Sequence, residues 1–396
     1  MKPRFTLPDP PETLKHRSHE LSKKIRQTIK RHGPLPFSRF MELALYTPGL
    51  GYYASGLPKI GKEGDFITAP EISPLFARCI ARQASQILAE LEHPNLIEFG
   101  AGKGTLAKDL LLALNQQNQV IENYYIIELS ADLRQRQAET LAELPAPLRE
   151  KVVWLDQLPQ KPIPAVIVAN EVLDAMPVEK LRLESDQSLQ GYVVFNEATQ
   201  RFEWDYHTIS DPGLQKTCNQ ILKKIGDPSP QGYETEINTQ IHPWLQSIAD
   251  FLEQGALLLI DYGYPRQEYY QSARKMGTLR CHYQHRAHSD PFFYPGLQDI
   301  TAHIDFTQVA EAGFDVGFKV AGYTTQAHFL MSSGILEMST ELTNQDNIVD
   351  ALKVAQQIKT LTLPNEMGEN FKVIALTKKL DLPLLGFQLR DLRHEL

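Results

Sequence analysis

Residues 96–105, LIEFGAGKGT, join an apolar run to one acid, Glu98, and to three glycines, Gly100, Gly102 and Gly104. Glycines so spaced permit a tight turn and close approach of a ligand to the backbone, and Thr105 then opens a helix whose free N–H groups face that ligand. A phosphate-binding loop needs a glycine five positions before Gly102, where Ile97 stands, and a dinucleotide fingerprint needs one at 105, where Thr stands. Glu98 would also set a negative charge near a pyrophosphate. S-adenosylmethionine carries an ammonium and a sulfonium and no phosphate, so an acid ahead of the glycines favours it, and it is the expected cofactor.

Further polar residues end the next three apolar runs. NYYIIELS closes on Glu128, whose carboxylate can accept both hydroxyls of a ribose, and Ser130 is placed to cap the following helix. VVWLDQLP offers Asp156 at the height of an adenine amino group, with a surface or capping aspartate as the other reading. NEVLDAMP sets Asn170, Glu171 and Asp174 where a transferred methyl group would emerge. Methyl transfer is an in-line displacement governed mainly by positioning. For a guanidinium acceptor, Glu171 and Asp174 could hold the fork and take up the proton released on methylation.

Such residues need a scaffold that brings strand ends together. The pattern predicts strands at 95–99, 123–128, 151–155, 164–169, 255–260 and 371–377, and helices at 72–91, 105–115 and 131–143. PAVIVAN and GALLLIDYG are apolar without alternation, as in a parallel sheet covered on both faces. The expected fold is α/β: a doubly wound, Rossmann-like class I methyltransferase sheet with an N-terminal helical extension and inserted substrate-side segments. In such sheets ligands sit outside the carboxyl ends of the strands. The expected organisation is a helical extension and loop at 1–75, a first core part at 76–182, a strand-rich insert at 183–232 and a second core part at 233–396. The first of these holds a helix at 12–32, stopped by Gly33-Pro34. The last contains 264–305, rich in Tyr, His, Arg, Gly and Pro without clear periodicity and read as a substrate-facing lid.

The 396 residues include 42% hydrophobic and 22% charged residues, and no stretch approaches the roughly 18 apolar residues that span a bilayer. A net charge of -8 gives no basic footprint for nucleic acid. Cys79, Cys218 and Cys281 lie far apart, which argues against a disulfide framework or a thiolate zinc site. His282, His285 and His288 recur at three-residue spacing with Arg286 among them, a pattern better suited to a substrate-contacting or solvated loop than to a metal, and no metal is expected. Tyr46, Tyr52 and Tyr53 could wall an acceptor pocket or pack in a core. MKPRFTLPDP lacks a signal-peptide h-region and makes a poor transit peptide, so a cytoplasmic location is expected.

The stretches YTPGLGYY, GDFITAPEISPLF, EFGAGKGTLA, IIELS, NEVLDAMPVEK, IDYG, GTLRCHYQHR, PGLQDITAHIDF and MGENFKVIAL follow one another in this order. From about residue 20 to 380 the chain resembles the MidA family of S-adenosylmethionine-dependent methyltransferases. The mitochondrial member of that family is the respiratory complex I assembly factor that methylates an arginine on a complex I subunit. The resemblance implies that Gly64, Asp65, Phe66 and Thr68 close over the cofactor, that the three glycines line its methionine part, that Glu128 takes the ribose, and that the loop from Asn170 to Pro177 faces the methyl group. A protein substrate, a respiratory-complex subunit, is the expected partner, and the residues themselves offer Tyr46, Tyr53 and His285 as substrate-facing candidates. A small-molecule methyltransferase and a non-catalytic assembly chaperone that binds the cofactor are the alternatives.

Overall fold

Apolar runs covered on both sides build the central sheet. A computed structural model describes residues 7–55, 67–226, 232–342 and 348–396. The chain clusters into two units, the larger made of Ile67–Asp174, Ile241–Arg266 and Ile304–Leu396. Its sheet comprises β1 (Asn95–Phe99), β2 (Tyr124–Ile127), β3 (Val152–Leu155), β4 (Ile163–Asn170), β5 (Leu252–Tyr264), β6 (Lys319–Thr325) and β7 (Phe371–Lys378). They lie in the order β3-β2-β1-β4-β5-β7-β6, with a short strand, Ile304–Asp305, beside the end of β5. Pairing is parallel from β3 through to β5, and β7 runs antiparallel to both β5 and β6. This is the doubly wound sheet expected. Its winding reverses between β1 and β4, so the carboxyl ends of these two strands flank the switch point where such sheets receive ligands.

Val166 and Val168 of β4 and Ala256, Leu258 and Ile260 of β5 join one core with Leu75, Ile80 and Ile87 of the helix Pro74–Leu88 and Leu106, Leu110 and Leu114 of the helix Thr105–Gln116. Residues 165–169 and 256–260 are buried without alternation, which is why neither run carries a period of two. Ser73 caps the first of these helices by accepting from the Leu75 N–H at 3.3 Å. β5 is longer than the expected 255–260. It follows the helix Ile241–Phe251 directly, and its register slips between Leu252 and Gly255. Gly255 has φ 139° and a Cβ there would stand 1.9 Å from the Ala165 oxygen, so only glycine lets β5 run against β4 at this point.

The second unit draws on Met1–Phe66, Ala175–Gln240 and Gln267–His303. The helix Glu12–His32 ends as expected at Gly33, which has φ 83°. Leu21 and Ile25 of this helix and Phe37, Phe40 and Met41 of the helix Phe37–Tyr46 share a core with Val193, Phe202, Cys281 and Ile300. The strands Glu179–Leu183, Ser188–Asn196 and Arg201–Thr208 pair in one antiparallel sheet, the first of them lying almost wholly before residue 183, where the insert was expected to begin. Tyr233–Ile237 pairs antiparallel with Glu179–Leu183, which places it with the inserted strands and not with the 233–396 part of the core. Nor is 264–305 without regular structure. Arg280–Tyr283 pairs with Arg286–His288 and with Asp299–Thr301 in a three-stranded sheet, and 267–303 clusters with the second unit. Strands of three or four residues are too short to leave a periodicity in the sequence. Lys180 and Glu236 form a buried ion pair at 2.9 Å, with Glu234 at 3.0 Å from the same ammonium. Among the described residues no helix is long and apolar enough to cross a membrane.

Candidate active site

The glycine loop begins where β1 stops. Gly100, Gly102 and Gly104 have φ of 65°, 53° and 85°, a left-handed backbone that residues with a Cβ rarely adopt. A Cβ on Gly100 would stand 3.1 Å from Val172 Cγ2, which ties the loop after β1 closely to the loop after β4. Gly104 is the N-cap of the helix Thr105–Gln116 and supplies no side-chain cap. Beside that terminus the Thr105 hydroxyl donates to Glu71 Oε1, and Lys103 Nζ lies 3.6 Å from Glu71 Oε2. A carboxylate of the chain itself thus stands at this end. Thr68, three residues earlier, is half-buried at the N-cap of the short helix Ala69–Ile72. Gly64, Asp65 and Phe66 lie outside the described residues.

Glu98 lies within β1 and is 2% exposed, accepting from the Tyr124 hydroxyl at 2.6 Å. Burial pushes its carboxyl up to about 7, against the Tyr124 hydrogen bond and with a further rise from Glu128. Glu128, also buried, accepts from the Ser130 N–H at 2.9 Å and from Gln137 Nε2 at 3.1 Å. Its carboxyl is likewise raised by burial, opposed by those hydrogen bonds. Ser130 caps the helix Ala131–Leu141, as its position suggested. Asp156 stands on the surface with its side chain 87% exposed, in an ion pair of 2.6 Å with Arg134. Arg134 also donates to the carbonyls of Glu128 and Leu155 at 2.8 and 2.7 Å, joining the ends of β2 and β3.

Gln137 was not among the residues picked out from the sequence. Fully buried, it donates to the Gly102 carbonyl at 3.0 Å as well as to Glu128, and accepts from Trp154 Nε1 at 2.9 Å. One amide therefore fixes the glycine loop, the acid after β2 and the aromatic ring of β3. Its only trace in the sequence is a glutamine on the inner face of a helix.

Past β4 the backbone turns sharply. Glu171 has φ 53°, a left-handed conformation uncommon for a residue of its kind and of the sort that concentrates at functional sites. Its N–H reaches back to the Ile260 carbonyl of β5 at 2.9 Å, and Asn170 Nδ2 donates to Glu171 Oε1 at 3.2 Å. Asn170 Oδ1 is buried with no hydrogen-bond partner among the described residues. Asp174, 5% exposed, accepts from the Tyr262 hydroxyl. Asp261, 1% exposed, accepts from the N–H groups of Leu173 and Asp174 at 3.0 and 3.2 Å and from that of Tyr262 at 2.9 Å. Burial raises the Asp261 carboxyl well above the carboxylate range, and the charges of Asp174 and Glu171 raise it further. Glu171 and Asp174 thus belong to a cluster of three acids.

The acceptor-side candidates fall in the second unit. Tyr46 and Tyr53 are half-buried and stacked with centroids 5.7 Å apart; Tyr46 donates to the Ala175 carbonyl at 2.8 Å and Tyr53 to Asp299 at 2.9 Å. His285 is exposed at the tip of a two-residue hairpin, Gln284 and His285 having φ of 47° and 58°.

This set of groups suits a cationic, phosphate-free nucleoside: a glycine cradle, an acid after each of β2 and β4, and a buried amide oxygen with an acceptor site to offer. Residues 79–324 match the model of the family described as "Putative S-adenosyl-L-methionine-dependent methyltransferase", and the chain belongs to that family. It is an S-adenosylmethionine-dependent methyltransferase. Among solved structures, it is similar to a protein from Burkholderia thailandensis crystallised with S-adenosyl-homocysteine, at 40% identity and a TM-score of 0.93 over 99% of this chain and 100% of that one. Among curated proteins it is 28% identical to "Protein arginine methyltransferase NDUFAF7 homolog, mitochondrial" of Drosophila melanogaster, over 98% of this chain and 93% of that protein. It is also 28% identical to the Homo sapiens "Protein arginine methyltransferase NDUFAF7, mitochondrial", over 88% of this chain and 81% of that protein. Both names carry a mitochondrial location, which overturns the cytoplasmic expectation drawn from the N-terminal composition.

Proposed function

We propose that the chain methylates an arginine side chain of a protein, in the manner of a respiratory-complex assembly factor acting on a complex I subunit. The observation that carries this reading is the acid cluster after β4, where Glu171 in its left-handed backbone and Asp174 stand on a loop tied to the end of β5. The protein arginine methyltransferase names of the two curated relatives support it.

In this reading Gly100, Gly102 and Gly104 line the methionine part of the cofactor, Asn170 Oδ1 accepts from its ammonium, and Glu128 takes the ribose. Glu98 is the acid ahead of the loop, Asp156 stands on the adenine side, and Thr68 lies on the covering side of the site. When bound, the cofactor supplies an electrophilic methyl group on a cationic sulfur. Glu171 and Asp174 hold the fork of the guanidinium so that one nitrogen is presented, and a carboxylate of this pair takes the proton that nitrogen releases. Tyr46, Tyr53 and His285 face the substrate protein.

The test is incubation with methyl-labelled cofactor and cell extract, followed by mass-spectrometric mapping. Label on a protein arginine, strongly reduced but still measurable in Asp174→Ala while cofactor binding persists, is the expected result. Label on a small molecule or on another side chain overturns the arginine assignment.

A further inference from the structure

Two adjacent residues of β5 hold Asp174 at two separate points. Asp261 accepts from the Asp174 backbone N–H at 3.2 Å and, with the same oxygen, from that of Leu173 at 3.0 Å. The Tyr262 hydroxyl donates to Asp174 Oδ2. Tyr262 is itself fixed, because it pairs in register with Phe371 of β7 and packs edge-on against that ring at 5.4 Å. A loop residue 88 positions away in sequence is thereby given both a backbone position and a side-chain rotamer by one strand of the core.

We propose that Tyr262 is a positioning residue for methyl transfer: its hydroxyl holds one oxygen of the Asp174 carboxylate so that the group meets the methyl acceptor in a single orientation, while Asp261 sets the loop beneath it. The inference rests on Asp174 facing the acceptor, as in the proposed function, but not on that acceptor being an arginine. A hydrogen bond to a carboxylate constrains its rotation. In a reaction governed by orientation, a carboxylate free to turn lowers turnover without changing how the cofactor is held. Asp261→Asn is the less clean probe, because the new amide would turn an N–H toward the backbone N–H of Tyr262 or toward those of Leu173 and Asp174.

The experiment is a double-mutant cycle on the full chain, with Tyr262→Phe, Asp174→Ala and the double variant. Turnover is read as label transferred from the cofactor to any acceptor in extract, cofactor affinity by calorimetry, and folding by thermal melting. Tyr262→Phe keeps the ring packed on Phe371 and is expected to lower kcat by about ten- to a hundredfold. The cofactor Kd and KM should stay within about twofold. In the Asp174→Ala background the same change should cost nothing further, because the group it orients is gone. Asp174→Asn keeps an oxygen for the tyrosine, and there the loss from Tyr262→Phe should reappear. Equal losses in both backgrounds, or a loss in cofactor affinity that matches the loss in turnover, would overturn the proposal. Label found on a residue other than arginine would refute the substrate assignment and leave this cycle readable.

Discussion

Replacing Glu98 by Gln should change how stability depends on pH. The Glu98 carboxyl has an ordinary value of 4.5 and is pushed up to about 7 in the folded chain, where it is wholly buried and accepts from Tyr124. Below pH 4.5 it is protonated in folded and unfolded chains alike and costs nothing. Between 4.5 and 7 the unfolded chain ionises it while the folded chain keeps the proton, so stability falls with rising pH, and above 7 the loss levels off. A shift from 4.5 to about 7 corresponds to roughly 3 kcal/mol in all, of which some 2 to 3 kcal/mol falls between pH 5 and pH 8. Gln is of the same shape, still offers Tyr124 an oxygen and does not titrate. Urea denaturation of both proteins at pH 5 and pH 8, without cofactor, compares them directly. The variant should gain on the wild type by about 2 kcal/mol or more at the higher pH. Parallel pH dependences would refute the reasoning and mean that Glu98 ionises in the folded chain at its ordinary value.

Gly100→Val places a β-branched side chain at φ 65° with its Cβ 3.1 Å from Val172, so calorimetry should find cofactor binding abolished; unchanged affinity would remove the loop from the site. Lys180→Met leaves Glu236 buried without its nearest cation and should cost about 3–5 kcal/mol in urea denaturation, whereas a loss below about 1 kcal/mol would mean that Glu236 finds a proton or water instead.

The parts of this fold legible in the sequence are those that local chemistry determines. The helix Glu12–His32 could be bounded because Gly33-Pro34 stops it, and β1 because Pro94 precedes it and glycines follow. β5 was recognised only in its apolar middle. At its start a helix runs straight into it across a register slip, and at its end Asp261, Tyr262 and Gly263 look like a turn. They remain extended because Gly263 pairs with Ile304, and a Cβ there would stand 2.2 Å from that residue's carbonyl oxygen. That neighbour lies far along the chain and leaves no mark near Gly263.

The same division runs through the site. The Gly loop, Glu128, Asn170, Glu171 and Asp174 could be nominated because strand ends in a doubly wound sheet converge, so position in the order of elements is enough to propose them. The groups that hold them could not. Gln137 reaches Gly102 across 35 positions, Glu71 reaches Thr105 across 34, and Tyr262 reaches Asp174 across 88. Nor does Glu171 announce its left-handed backbone, since that region favours Gly and Asn, and the bond from its N–H to Ile260 comes from the neighbouring strand. Sequence order could nominate these acids, but their geometry is a property of the β4–β5 pairing. Asp261 and Tyr262 are adjacent on β5, yet one fixes a backbone and the other a carboxylate. With the roles proposed above, disturbing the end of β5 should therefore impair transfer before cofactor binding, because the glycines proposed to hold the cofactor follow β1 on the far side of β4.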